Sequence, residues 1–390
     1  MTGKLIDRTA SAYDDRLLIK RILDTAFALS GGNEIVCSCV KRYDYKTLYK
    51  RIGQLANVLN RLGIKAGDTV GILDWDSHRY LECLFSVPMM GAVLHTLNVR
   101  RPSEELLYTL NHAEDHALLV HADFLPLVEK IQGAMKTVKS VIVLTDGKPA
   151  PQTCLDAAGD YETLLEESPG DFDFLDFNEN LKAATFYTTD ATGMLKEICF
   201  SNRQLVLHAL AVASSSAQSA PGGMSRNDVY MPLTPISLIH AWGFPYAASM
   251  LGMKQVYPGR YTVDMLLGLI AKERVTFSHC VPAVLHMLLG CPASAVVDLS
   301  GLTVITSGSA VSKELCRAAR QRGINVYTGY GLSETCPVLT TAHIEPLMAA
   351  LSEKEQTDLH CRADRPLPLC ELARERLMPT CVQNGADVRG

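Results

Sequence analysis

The sequence has no run of about eighteen apolar residues, so no membrane-spanning helix is expected. It also lacks a G-x-x-x-x-G-K-S/T segment, which excludes a simple P-loop nucleotidase. With no G-x-G-x-x-G after a strand-like run, a dinucleotide oxidoreductase is unsupported. Twelve cysteines are present, but they are scattered, with no C-x-x-C pair and no Cys/His cluster at zinc-finger spacing. They read as reduced, mostly buried thiols of a cytoplasmic protein, Cys37 and Cys39 sharing one face of a strand. There is no basic surplus either. With 37 Lys and Arg against 42 Asp and Glu the net charge is −5, and nucleic acid is excluded as the main partner. The N-terminus is too polar for a secretory signal, and no internal repeat occurs.

What is present suits a soluble globular protein of more than one subdomain: 390 residues, 47% hydrophobic and 20% charged. From residue 34 strand and helix patterns alternate. Expected strands are 34–40, 69–73, 92–97, 117–120 and 140–144, expected helices are 45–62, 77–90, 103–112 and 123–135, and a second alternating run from 228 to about 340 holds a strand at 275–277. In the first of these helices, Leu48, Ile52, Leu55, Leu59 and Leu62 recur three and four apart, with Asp44 as N-cap and Gly63 as terminator. Ser103 is read as the cap of 103–112. The alternation predicts an α/β fold with mostly parallel sheets. A Pro- and Gly-rich junction at 146–152 divides the chain into 1–150, 151–345 and a remnant 346–390. In the remnant, Ser352 and Glu355 have capping-box spacing, 365–372 reads as an edge strand, and a weakly ordered tail follows from 373.

Three stretches carry chemistry. Tyr187-Thr-Thr-Asp-Ala-Thr-Gly-Met-Leu-Lys196 lies between a strand 183–187 and a helix 204–213. Small hydroxyls, Gly193 and Lys196 there are what a phosphate-binding loop needs. Ser307-Gly-Ser-Ala310 follows a short strand, and such a turn lets a ring or phosphate approach the backbone. Thr328-Gly-Tyr-Gly-Leu-Ser-Glu-Thr335 follows the strand 324–327, where ligands of open α/β sheets collect. Its glycines, Tyr330, Ser333 and Glu334 suit a purine nucleotide and a cation. The apolar, proline-broken segment 232–243 predicts an extended or irregular path, with Trp242 and His240 most simply core residues.

Together these stretches resemble the AMP-forming acyl-CoA synthetases of the adenylate-forming superfamily, most closely the medium- and long-chain fatty acyl-CoA ligases. The family loop Y-T-S/T-G-T-T-G-x-P-K-G corresponds to Tyr187–Glu197, its P-M-F-H-V-N-A-W-G to Pro235–Gly243, its G-G-S-A to Ser307–Ala310. Its G-Y-G-x-S/T-E is intact as Gly329–Glu334. The resemblance covers the chain to about residue 372 and implies the large N-terminal domain of these enzymes, with 151–345 carrying the ATP-binding motifs and the small C-terminal domain absent. It implies attack of a carboxylate, fatty or other, on the α-phosphate of ATP. The acyl-adenylate is then taken by coenzyme A. Thr188, Thr189, Thr192, Gly193 and Lys196 would face phosphates, and Ser307, Gly308, Ser309, Ala310, Gly329, Tyr330 and Gly331 would border adenine. Ser333 would contact the AMP phosphate. Lys196 and Glu334 would be catalytic, Glu334 and Thr192 would hold Mg²⁺, and Trp242 with His240 would form the acyl gate. A homodimer, or a chain supplying the missing domain, are the implied partners.

Several positions depart from the pattern. Two loop glycines are Asp190 and Glu197, expected to flank Lys196, and the loop proline is Leu195. The family histidines are Asn202 and Leu238, with His240 two residues on, on the same face if the segment is extended. The segment with the ribose-binding Asp and the domain with the adenylation lysine are not in the sequence. A non-catalytic relative that binds an acyl group or a nucleotide is therefore the alternative expectation.

Overall fold

The computed structural model describes residues 9, 11 and 15–370, except 31, 39, 190–191, 219–222, 337 and 343–349. Expectations placed on Cys39, Asp190 and the tail lie outside the described residues. Two stacked sheets organise the rest. Across the first, the strands run Ala157–Asp160, Ser140–Leu144, Asp115–His121, Thr69–Leu73, Val93–Thr96, Lys182–Thr189 and Leu195–Ser201. All neighbours are parallel except the last pair, an antiparallel hairpin. Across the second run Arg365–Pro366, Val338–Thr341, Asn325–Gly331, Thr303–Thr306, Phe277–Cys280, Val229–Pro232, Lys254–Tyr257, Glu34–Cys37 and Lys41–Asp44. Its middle is parallel and both margins are antiparallel. This is the expected α/β fold with mostly parallel sheets.

Local choices explain the elements. The helix Tyr45–Arg61 starts where Asp44 accepts the Thr47 N–H at 2.8 Å. It buries Leu48, Ile52, Leu55 and Leu59 and stops at Gly63, whose φ of +86° disfavours other residues. The helix Glu353–His360 has the expected capping box at Ser352. Other expectations are corrected. The strand 34–40 is Glu34–Cys37, followed by a reversal into Lys41–Asp44. The helix 123–135 is broken into Ala122–Phe124, Leu125–Glu129 and Gln132–Ala134. Ser103 is the first helical residue, not the cap, which is Pro102. The edge strand 365–372 is only Arg365–Pro366.

The largest core lies between the sheets. There Ile22, Ile52 and Leu84 of the helices Ile19–Leu29, Tyr45–Arg61 and His78–Met89 pack with Ile35 and Tyr257 of one sheet and Ile72 and Phe186 of the other. Separate apolar clusters cover the outer faces. The order is helix, sheet, helix, sheet, helix. No helix among the described residues is long and apolar enough to cross a membrane.

At one margin the layers are joined by charge. Glu82 is 0% exposed, and it accepts from Tyr43 Oη at 2.5 Å, Tyr161 Oη at 2.6 Å and Arg51 Nε at 2.6 Å. Arg51 also donates to both oxygens of Glu162, at 2.8 and 2.9 Å. Burial pushes the Glu82 carboxyl up, but Arg51, His78 and the Tyr161 hydroxyl outweigh it and hold it low. Tyr43 belongs to the edge strand of the second sheet, and Glu162 to the helix after the edge strand of the first.

The helix Tyr45–Arg61 meets the chain after that edge with no space to spare. A Cβ at Gly53 would lie 1.9 Å from the Gly170 carbonyl oxygen, whereas one at Gly63 would meet nothing within 4 Å. Gly53→Ala is expected to cost about 3 kcal/mol by overpacking, and Gly63→Ala about 1 kcal/mol through its backbone alone. Urea midpoints of the two variants would check the order.

Candidate active site

The motif expected as a loop is largely a hairpin. Thr188 pairs with Lys196 and Tyr187 with Glu197, so only the segment around Thr192 and Gly193 forms the tip. The helix after it is Asn202–Gln218. Alternate strand residues point to opposite faces, and this sorts the charges. Lys196 shares a face with Thr188 and Phe186, while Glu197 turns to the other with Thr185 and Tyr187. There Glu197 accepts from Lys182 Nζ at 2.5 Å and Thr185 Oγ1 at 2.8 Å. Burial raises the Glu197 carboxyl, but Lys182 and Thr185 outweigh it and hold it low. Glu197 therefore does not flank Lys196. Thr188 and Thr189 likewise face apart, and Arg101 donates to Thr189 Oγ1 at 3.5 Å and to the Tyr187 carbonyl at 3.3 Å.

Lys196 meets a different carboxylate. Its Nζ lies 2.8 Å from Glu334 Oε1, the side chains 50% and 47% exposed. The Lys196 hydrogen bond holds the Glu334 carboxyl below its usual range. Glu334 sits in the single turn Ser333–Thr335, just past the strand Asn325–Gly331. Two motifs far apart in sequence thus meet at the margin opposite Glu82. Thr306 and Thr328 are register partners, which sets Ser307 beside Gly329. A Cβ at Gly329 would approach Ile305 Cγ2 at 3.2 Å and Ser307 Cβ at 3.8 Å. Gly308, Ser309 and Ala310 are exposed, Gly308 with φ of +88°, and Tyr330, Gly331 and Ser333 are half-buried.

The segment 232–243 departs most from expectation. Ile239, His240, Ala241 and Trp242 have φ of 55°, 50°, 48° and 57°, and Gly243 follows at 73°. A left-handed turn of non-glycine residues costs about 1–2 kcal/mol per residue. Packing holds it: His240 and Trp242 are buried, Phe186 meets the His240 ring edge-on at 5.7 Å, and Trp242 lies 5.1 Å from the His279 ring. Gly243 is required, because a Cβ there would fall 2.6 Å from His208 Nδ1. Since the chain turns after Leu238, the same-face relation expected between Leu238 and His240 fails. Asn202 is spent elsewhere, its Oδ1 accepting the Ile19 N–H at 3.2 Å.

His279 and His208 were not found from the sequence. His279 stacks between Phe244 and Tyr230, at 4.7 and 5.8 Å, and its Nε2 pairs with Tyr230 Oη at 2.8 Å. The available signal was a histidine at the carboxyl end of a parallel strand, but the strand was expected at 275–277, not at Phe277–Cys280. Among the described residues, buried His208 Nε2, Thr234 Oγ1, His240 Nε2, His279 Nδ1, Thr306 Oγ1 and Thr328 Oγ1 have no hydrogen-bond partner. Thr234, His279 and Thr306 stand at or just beyond the carboxyl ends of three neighbouring strands, and Thr328 lies beside Thr306 in the middle of the fourth. Unpaired buried polar groups are costly, and a row of them marks a surface that can hold a polar ligand.

Comparison with known proteins gives this arrangement its class. The AMP-binding enzyme family profile matches residues 25–373, and the chain belongs to that family. It is 36% identical over 369 residues to a long-chain-fatty-acid–CoA ligase of Thermus thermophilus, covering 93% of this chain and 66% of the relative. It is 31% identical to a 3-methylmercaptopropionyl-CoA ligase of Ruegeria pomeroyi, covering 90% and 66%. The chain thus spans just under two thirds of these relatives. Among solved structures, a long-chain-fatty-acid-CoA ligase from Archaeoglobus fulgidus superposes with a TM-score of 0.76 at 21% identity, covering 92% of this chain and 70% of that one.

Burial lowers His279 from 6.5 to about 3. Its folded value is depressed, so the unfolded chain takes up the proton first and stability falls as pH drops below 6.5. Between pH 6.5 and 5 this one group removes about 2 kcal/mol. In His279→Phe the loss of stability from pH 7 to pH 5, read by urea unfolding, should be smaller than in the wild type by about that amount.

Proposed function

We propose that the chain binds ATP and a carboxylic acid, fatty or other, in an AMP-forming acyl-CoA ligase reaction, with coenzyme A as acyl acceptor. The Lys196–Glu334 pair carries the reading. A half-exposed lysine and carboxylate on two different motifs can exchange each other for a nucleotide: Lys196 turns to phosphate and Glu334 is released towards a cation. Ser307–Ala310 and Gly329–Gly331, brought side by side by the register of their strands, would border the adenine, and Ser333 stands beside Glu334 for the AMP phosphate. Thr188, Thr192 and Gly193 complete the phosphate side. Thr189, on the opposite strand face, would need the hairpin tip to turn. Trp242 and His240 border the acyl group. No group of three or more His, Cys, Asp or Glu among the described residues could hold a metal alone. One carboxylate suffices when phosphates supply the other oxygens, so Glu334, with Thr192, fits a magnesium ion arriving on the nucleotide. Bound there, the ion would offset phosphate charge.

In this reading the carboxylate oxygen attacks the α-phosphorus and pyrophosphate leaves. The chain's contribution is to hold the phosphates against Lys196 and to exclude water behind Trp242. A homodimer, or a chain supplying a C-terminal domain for the thioester step, is the partner this reading implies.

Labelled pyrophosphate exchange into ATP, dependent on a fatty acid, tests the proposal with and without a separately expressed C-terminal domain of a relative. Exchange in either arm supports it. No exchange with any acid, while nucleotide still binds, leaves the non-catalytic reading. By calorimetry, Lys196→Met should weaken Mg·ATP binding roughly tenfold or more, with stability changed by less than about 1 kcal/mol because the pair is exposed. Glu197→Gln should leave affinity within about twofold, since a charge paired on the other strand face acts weakly. An equal loss in both variants would mean that the hairpin does not present Lys196 to phosphate.

A further inference from the structure

Asp76 lies on the loop between the strand Thr69–Leu73 of the first sheet and the helix His78–Met89. Both its backbone carbonyl and its side chain accept from chain that leaves strands of the second sheet. The carbonyl oxygen accepts the N–H of Gly259, just past the strand Lys254–Tyr257, at 2.7 Å. The buried carboxyl accepts the Ile236 N–H through Oδ1, also at 2.7 Å. Ile236 leads into the left-handed turn, and short backbone links follow it. Leu238 N–H donates to the Pro235 carbonyl at 2.9 Å, Ala241 N–H to that of Leu238 at 3.2 Å and Gly243 N–H to that of His240 at 3.0 Å. The turn opposes the preference of its own residues, so its place depends on what holds its ends.

Charged and titratable groups of several elements face the Asp76 carboxyl. Asp74, on the same loop, repels its charge, and Arg100, after the strand Val93–Thr96, attracts it. Tyr80 of the helix His78–Met89, Tyr230 and Tyr257 of two strands and Tyr261 beyond them are phenols raised first by burial and further by acidic neighbours that include Asp76. Burial raises the Asp76 carboxyl from 3.8 to about 7 and Asp74 adds to this, against the Ile236 N–H and Arg100. Both forms are present near neutrality, and the ionised one is the stronger acceptor.

We propose that Asp76 is a positioning residue for the acyl gate, its ionised carboxylate fastening the Ile236 amide and, through the backbone of 236–241, the turn that sets Trp242. This role rests on the reading of Trp242 and His240 as the border of the acyl group. When the carboxyl takes up a proton the fastening weakens, Trp242 gains freedom beside His279, and a long-chain acid is held less firmly.

The test uses the full chain carrying Trp75→Phe, which leaves Trp242 as the sole tryptophan. Trp75 packs on Phe124 at 4.8 Å and donates to Asp123, so its loss spares the Asp76–Ile236 bond. Trp242 emission and its quenching by acrylamide are followed across neutral pH. More quenching on the acid side is expected, with a midpoint at about 7. Asp76→Asn keeps an acceptor oxygen without the charge and should abolish the transition. The histidines around Trp242 do not supply such a midpoint, because burial lowers His208 and His240 to about 4 and His279 to about 3. Asp76→Ala should show the quenched behaviour at every pH and bind cis-parinaric acid, a fluorescent long-chain acid, about fivefold or more weakly. Asp76→Asn should recover part of that affinity. A Trp242 signal that does not change with pH, or one that still titrates near neutrality in Asp76→Asn, overturns the proposal, whether or not the Ala variant folds. The expected Trp242 response with unchanged affinity for cis-parinaric acid keeps Asp76 as the fastening of the turn and overturns the acyl-gate reading instead.

Discussion

A carboxylate taken wholly out of water, that of Glu82, is stable only while Arg51, Tyr43 and Tyr161 stay around it. Removing one partner of such a group leaves an uncompensated charge at a cost of about 3–5 kcal/mol. That requirement ties the edge of one sheet to the edge of the other and fixes how the two stack. The opposite margin is closed by a pair of another kind, Lys196 with Glu334, half in solvent and worth little to stability. One margin is locked and the other is exchangeable. The motifs that make up the site lie at the exchangeable one.

Much of this was legible in the sequence. The helix Tyr45–Arg61, the strands Thr69–Leu73 and Ser140–Leu144 and the cap at Ser352 follow from periodicity and local hydrogen bonding, which the structure leaves unchanged. The motifs at 187–197 and 328–335 were visible as phosphate- and purine-type residue sets. Their meeting across Lys196 and Glu334 was not, because nothing local encodes a contact between residues so far apart in the chain.

The errors have common causes. A Gly- and Thr-bearing stretch was taken as loop although Ile198 and Phe200 alternate with Cys199 and Ser201 as in a strand, and that one misreading put Glu197 beside Lys196 instead of on the other strand face. The left-handed turn at 239–242 could not be foreseen, since its residues individually oppose it. Only the packing of Trp242, His279 and His208 around Gly243 enforces it. His279 was missed because its strand was set two residues early.

The exposed pair also bears on ionic strength. A lone lysine binds an anion by an attraction that salt screens, so affinity falls steeply as salt rises. At Lys196 the same screening loosens Glu334, the competitor that an arriving polyanion has to displace. The two effects oppose each other. A polyanion held there would feel salt less than the charge on Lys196 alone implies, and the free protein offers passing anions a neutral surface in place of a bare cation.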